Sequence, residues 1–184
     1  MRKTFEAALA TFAALSGRNN NSQQAVVAFT ARDFRPAEAG GGPVHVAMLN
    51  RDDVEALCPR LPEVEERTNA AAEAVKAEGR SLSASTYGTA VHTNLRDQIR
   101  ALESSDFVAE RSFLKEQSEV PYGAKGSIRI DVFENAGNRT VCVYDVKTGK
   151  SSPIFGRSVE IAENVFARYR DTQRIIVTEV KPRQ

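Results

Sequence analysis

An α/β fold with a mixed central β-sheet flanked by helices is predicted by three features of the second part of this 184-residue chain. After about residue 83 the segments follow the order helix, strand, strand, strand, helix, strand. Ser127–Phe133 and Thr140–Lys147 alternate apolar and polar residues around an Asn135-Ala-Gly-Asn138 turn, the pattern of an antiparallel hairpin. A helix then separates the last two strands, and such a crossover sets strands parallel. Residues 1–80 are read as an N-terminal α/β accessory segment and residues 81–184 as the core.

Taken in order, Arg2 and Lys3 precede Phe5–Leu15, a stretch with some likeness to a signal peptide, but Glu6 at the head of the apolar run and the spacing of Phe5, Leu9 and Phe12 favour an amphipathic docking helix. Gly17–Gln24 is polar and helix-poor, a linker. Ala25–Thr30 and Val44–Leu49 read as strands, with a glycine-rich loop from Pro36 to Pro43 between them. Asn50 caps a short helix, Arg51–Leu57, with Asp52 and Asp53 in the first turn where the helix dipole favours them. Pro62–Glu78 is a second helix, proline at its start and Gly79 just past its end.

In the core, Ser85 or Thr86 caps a helix to about Leu102 with Val91, Leu95, Ile99 and Leu102 as its apolar stripe. Phe107–Leu114 is a strand. The hairpin follows, then a helix from Ser158 to Tyr169, then the strand Arg174–Val180, which Pro182 ends.

Composition limits the function only loosely. Hydrophobic residues at 41% and charged residues at 27% describe an ordinary globular chain. A net charge of +1 means that attraction for phosphate has to come from local basic clusters. No apolar run approaches the roughly 18 residues a membrane span requires. Cys58 and Cys142 have no metal-ligand spacing, and Cys142 is read as a buried free thiol, which fits a reducing compartment or indifference to redox.

Chemistry concentrates in Gly126-Ser-Ile-Arg-Ile-Asp131 and Val143-Tyr-Asp145-Val-Lys147-Thr-Gly149. Strand alternation puts Asp145 and Lys147 on one face and Tyr144 and Val146 on the other. A three-residue loop, Ala136–Asn138, pairs Asn135 with Arg139 and Asp131 with Val143, which brings Asp131 to the Asp145 face; a regular four-residue loop turns it away. Two carboxylates that share a hard cation, with an ammonium beside them, suit attack by water on a phosphodiester. The competing reading is an edge hairpin whose charges face water.

These segments resemble the PD-(D/E)XK phosphodiesterase superfamily, in particular its RecB-like branch, over about residues 83–181. That branch pairs a Gly-x-x-x-Asp type element with Asp-x-Lys-Thr-Gly. Upstream, Tyr87-Gly88-Thr-Ala-Val-His92 looks like its Gly-x-x-x-His helix.

The resemblance implies an αβββαβ restriction-endonuclease-like core and a Mg²⁺- or Mn²⁺-dependent nuclease. Asp131 and Asp145 would be metal-binding carboxylates, joined by the Val146 carbonyl and His92. Lys147 would be the catalytic lysine, and Glu110 the acidic residue near the first strand. Lys150 and Arg157 are the expected substrate contacts, because the segment between them leaves the catalytic strand. The branch's Gln-x-x-x-Tyr helix is only half matched: Tyr169 is present, but Val165 stands where the glutamine belongs, which counts against DNA-end processing of that kind.

DNA is the expected substrate ahead of RNA. A short nuclease core behind an unrelated N-terminal part also resembles bacterial polymorphic-toxin effectors, which implies an immunity-protein partner and action in a cytoplasm, its own or a target cell's. A phage or repair nuclease, or a catalytically silent binding module on the same fold, carries the same residues.

Overall fold

The computed structural model describes residues 30–35, 45–114, 127–149 and 155–183. Among them are six strands and four helices: β1 (Thr30–Arg35), β2 (His45–Leu49), α1 (Arg51–Leu57), α2 (Leu61–Ala77), α3 (Ala84–Arg100), β3 (Phe107–Leu114), β4 (Ser127–Gly137), β5 (Thr140–Val146), α4 (Phe155–Arg168) and β6 (Arg174–Val180). The strands form a single mixed sheet in the order β2-β1-β6-β5-β4-β3. Every neighbouring pair is antiparallel except β5 and β6, which are parallel. The mixed α/β architecture and the α4 crossover thus follow from the sequence pattern. β1 hydrogen-bonds to β6, so the strands before residue 80 extend the same sheet.

Local chemistry explains most boundaries. Asn50 accepts from the Asp53 N–H and starts α1. Gly79, at φ +65°, takes the left-handed conformation just past α2 that a residue with a Cβ adopts at a cost.

Two expectations need correction. Ser83, not Ser85 or Thr86, caps α3, accepting from the Thr86 N–H. Leu102 lies beyond the helix end and is exposed, so the apolar stripe stops at Ile99. Among the described residues β1 takes in Thr30, the last residue of the expected Ala25–Thr30 strand, and runs on to Arg35. Its charged residues tolerate burial because they are partnered: Asp33 meets Arg35 at 2.7 Å and Arg174 at 3.5 Å, and Arg32 donates to Ser158. Residues 25–29, the Phe5–Leu15 helix, the Gly17–Gln24 linker and the Pro36–Pro43 loop lie outside the described residues.

The hairpin register also differs. Asn135 stands opposite Val141, not Arg139, and Val132 opposite Tyr144. β4 runs on through the expected turn, and the chain reverses at Asn138 and Arg139, both at positive φ (48° and 58°). Closure of that tight turn pairs Gly137 with Thr140, a register whose parity would send Asp131 away from Asp145. A bulge between Asn135 and Gly137 absorbs one residue and restores the parity. The pairing is therefore displaced by two residues from the expected one, an even shift that conserves the faces.

Hydrophobic burial fills both sides of the sheet. On one side α1, α2 and α3 contribute Val54, Leu61, Val64, Val91, Leu95 and Ile99, packed on Phe107, Val132, Tyr144 and Val146. On the other, α4 sets Val159, Ile161, Ala162 and Val165 on Phe34, Phe133, Val143 and Ile175. Each large side chain so buried stabilises the fold by about 1.5–3 kcal/mol. All seven residues of β5 are buried, as expected for the strand between a parallel and an antiparallel neighbour. Among the described residues, no helix is long and apolar enough to cross a membrane.

Cys142 is not a free thiol. The C-terminal end of α1 packs against β5 and brings Cys58 within 5.9 Å (Cα–Cα) of Cys142, and the two form a disulfide across 84 residues of sequence. Distance along the chain hid a contact that helix-on-sheet packing creates. The inference of a reducing compartment, which rested on free thiols, loses its basis.

Candidate active site

β5 ends at Val146, and its last residues carry the charges. Tyr144 and Val146 point into the α1–α3 side of the core. Asp145, between them, projects to the opposite face, and Lys147 turns back to it with Nζ 2.8–2.9 Å from the carboxylate oxygens. Lys147 also donates its backbone N–H to Val180 O at 2.9 Å, so the parallel ladder holds the lysine in place.

Asp131 reaches the same place by a different route. On β4, Ile130 belongs to the α4-side core and Val132 to the α1–α3 side, so regular alternation breaks at the residue between them. The neighbouring strand breaks alongside: the β3–β4 register runs from Ala109↔Val132 to Arg111↔Ile130, and Glu110 between them has φ +52°. A non-glycine residue in that region stores backbone strain of about 1–3 kcal/mol. The shared kink turns the Asp131 carboxylate toward α3. There Oδ1 lies 3.4 Å from His92 Nδ1, and Oδ2 accepts the Val146 N–H at 2.9 Å.

These contacts separate the two carboxylates electrostatically. Burial opposes ionisation of Asp131, but the hydrogen bond and charge of His92, with the Val146 N–H, hold it below the ordinary carboxylate range. Burial also resists protonation of His92, and Asp131 outweighs it, raising the imidazole. Asp145 moves upward: burial leads, the negative charge of Asp131 adds to it, and the Lys147 hydrogen bond opposes.

Asp131, Asp145, Val146, Lys147 and His92 line one cleft of about 380 Å³, together with Arg129, Thr148, Gly149 and Arg157. The cleft is built around a close approach between α3 and the turn after β5. A Cβ on Gly88 would stand 2.8 Å from Thr148 Oγ1, so glycine at that position lets the helix bearing His92 meet Thr148.

Of the residues expected from sequence, Asp131, Asp145, Val146, Lys147, His92 and Arg157 are thus brought together in one cleft. Glu110 is apart from them. Its buried carboxylate lies 3.5 Å from Arg96 and 4.0 Å from Arg129, and it lines an adjoining cleft with Ser85, Thr89, Thr93 and His92. Lys150 lies outside the described residues, as does Gly126. Arg129, one of several basic residues that the sequence puts near the site but not one of the two contacts singled out there, lines the cleft as well. Among the described residues, no three His, Cys, Asp or Glu side chains stand together as a ready cation cage.

Comparison with protein families, with curated proteins and with solved structures gives no match.

Proposed function

We propose that this protein is a Mg²⁺- or Mn²⁺-dependent nuclease that hydrolyses phosphodiester bonds, DNA ahead of RNA. The observation that carries the reading is the convergence of Asp131, Asp145 and Lys147, from two strands, on one polar cleft rimmed by Arg129 and Arg157. The donor set fits a hard cation, because Mg²⁺ is commonly held by one or two carboxylates while water and substrate phosphate complete its shell. Asp131 and Asp145 would hold it, and zinc is disfavoured because the cleft offers no thiolate and a single imidazole. When bound, such an ion neutralises substrate phosphate and lowers the pKa of water.

The chain's own residues do the rest. Asp131, kept ionised by His92, supplies a permanent negative charge at the floor of the cleft. Lys147, pinned by Asp145, presents an ammonium where negative charge accumulates on the phosphorane in the transition state. Arg129 and Arg157 offer guanidinium groups at the rim for phosphate oxygens. Action as an antibacterial toxin domain with an immunity partner belongs to this reading, as does a phage or repair role.

Cleavage of supercoiled plasmid and of linear single-stranded DNA and RNA, with Mg²⁺, Mn²⁺ or EDTA, tests it. Metal-dependent cutting is expected, with Asp145→Ala and Lys147→Ala each losing roughly a hundredfold or more. One observation favours a second reading, a catalytically silent nucleic-acid binder: both carboxylates already have partners within the protein, Asp145 in Lys147 and Asp131 in His92 and the Val146 N–H. Nucleic-acid binding that is indifferent to metal, without cleavage of any substrate, would favour the binder.

A further inference from the structure

The acidic-Val-Lys sequence of β5 occurs a second time, on the strand beside it. Asp145-Val146-Lys147 is matched by Glu179-Val180-Lys181, and the parallel register places Asp145 opposite Glu179 and Val146 opposite Val180. Paired residues of parallel strands share a face, so both carboxylates project to the α4 side. Each lysine turns back on its own carboxylate in the same manner: Lys181 Nζ lies 2.8 Å from Glu179 Oε1, as Lys147 Nζ lies 2.8 Å from Asp145 Oδ2. The lysine side chains are also alike in exposure, 25% for Lys181 and 29% for Lys147.

The two stations differ in their carboxylates. Around β5, two carboxylates, Asp131 and Asp145, share the cleft with Lys147, Arg129 and Arg157. Around β6, the one carboxylate of Glu179 faces two cations, Lys181 and the buried Arg32, whose guanidinium feels the Glu179 charge. One positive charge is left over there. Glu179 is 7% exposed, and among the described residues neither of its oxygens has a hydrogen-bond donor in good geometry, so its ion pair with Lys181 is the contact that holds it. The arrangement keeps Lys181 oriented without cancelling its charge. After Lys181 the chain is fixed as well, because the Arg183 N–H donates to Asn69 Oδ1 at 2.7 Å.

We infer that Lys181 binds the backbone phosphate next to the scissile one, with Glu179 as its positioning residue, an inference that rests on the nuclease reading above. Adjacent strands run about 4.8 Å apart. Lys147 and Lys181 therefore stand side by side at the carboxyl edge of the parallel pair, the edge where open α/β sheets bind ligands. A station with two carboxylates that suit a cation lies next to a station with a single carboxylate and an oriented lysine that suits a phosphate, as an in-line attack on a polyanion requires.

Binding of a short fluorescein-labelled DNA duplex, followed by anisotropy in EDTA over a range of salt, tests the inference beside steady-state cleavage in Mn²⁺. Lys181→Ala should weaken binding about five- to tenfold and lower the slope of log K against log salt by about one, the share of a single phosphate contact. In cleavage it should raise KM and leave kcat within about twofold. Because Lys181→Ala strands a buried carboxylate, the pair variant Glu179→Gln/Lys181→Met, which removes both charges, is measured beside it and should show the same loss. If wild type cuts but both variants keep its KM and salt slope, Lys181 is only the counter-ion of Glu179 and the inference is overturned. If wild type neither binds nor cuts any nucleic acid, the nuclease reading falls first and the inference with it.

Discussion

The two ends of β5 are one strand with two different jobs. From Thr140 to Tyr144 it is tied down: Cys142 is bonded to Cys58, and the Tyr144 hydroxyl donates to the buried Glu134 carboxylate. From Asp145 to Lys147 it is charged and opens on a cleft. The difference teaches how ionised groups are kept at the edge of a hydrophobic sheet. Asp145 and Lys147 cost stability through desolvation, and the anchored half of the same strand sits against both core layers and offsets that cost.

The comparison breaks most visibly at the disulfide. Cys58→Ser/Cys142→Ser should lower unfolding stability by about 4–5 kcal/mol, the chain-entropy value for a loop of this length, read from urea denaturation. Activity per folded molecule at low temperature should change little. Loss of cleavage in protein shown to be folded would mean that the anchored half also sets the geometry of the charged half.

A smaller effect comes from the other side of the cleft. Gly88→Ala adds a methyl group within 2.8 Å of Thr148 Oγ1. Rotation of the threonine side chain relieves the clash, and alanine suits a helix better than glycine by about 1 kcal/mol, so Tm should move little. Cleavage should fall about tenfold, because Thr148 directly follows Lys147. An equal fall in Tm and activity would make the contact one of packing alone.

Glu134 gives the smallest effect and a pH dependence of definite sign. Burial raises its carboxyl above the ordinary value, against the opposing Tyr144 hydrogen bond. The folded state therefore holds this proton more tightly than the unfolded state does. Its contribution to stability is fully present below the unfolded value, near 4.5, and is lost as pH rises through the higher folded value. Glu134→Gln keeps an acceptor for Tyr144 and should flatten this part of the stability–pH profile, with little loss at neutral pH. An unchanged profile would show that Glu134 titrates alike in both states.

While the place of His92 beside Asp131 was expected only from the resemblance to a Gly-x-x-x-His helix, sequence alone determined the helices of the core, the hairpin, the parallel crossover and the pairing of Asp145 with Lys147 on one face. These are local matters: caps, periodicity and i, i+2 alternation act within a few residues. The register that sequence implied was off by two, and Asp131 comes to the cleft through the kink in β4 rather than through the parity of that register.

What the tertiary structure decided depends on groups far apart in the chain. The Cys58–Cys142 bond required α1 to pack on β5. The burial of Arg32, Asp33 and Glu179 required partners from β6, α4 and beyond, which hydropathy along a strand does not report. The kink shared by Glu110 and Asp131 arises only when β3 and β4 are laid side by side, and it turns one carboxylate toward His92 and leaves the other outside the main cleft. Alternation predicts faces for a regular strand, and the geometry of this cleft is set where the strand is irregular.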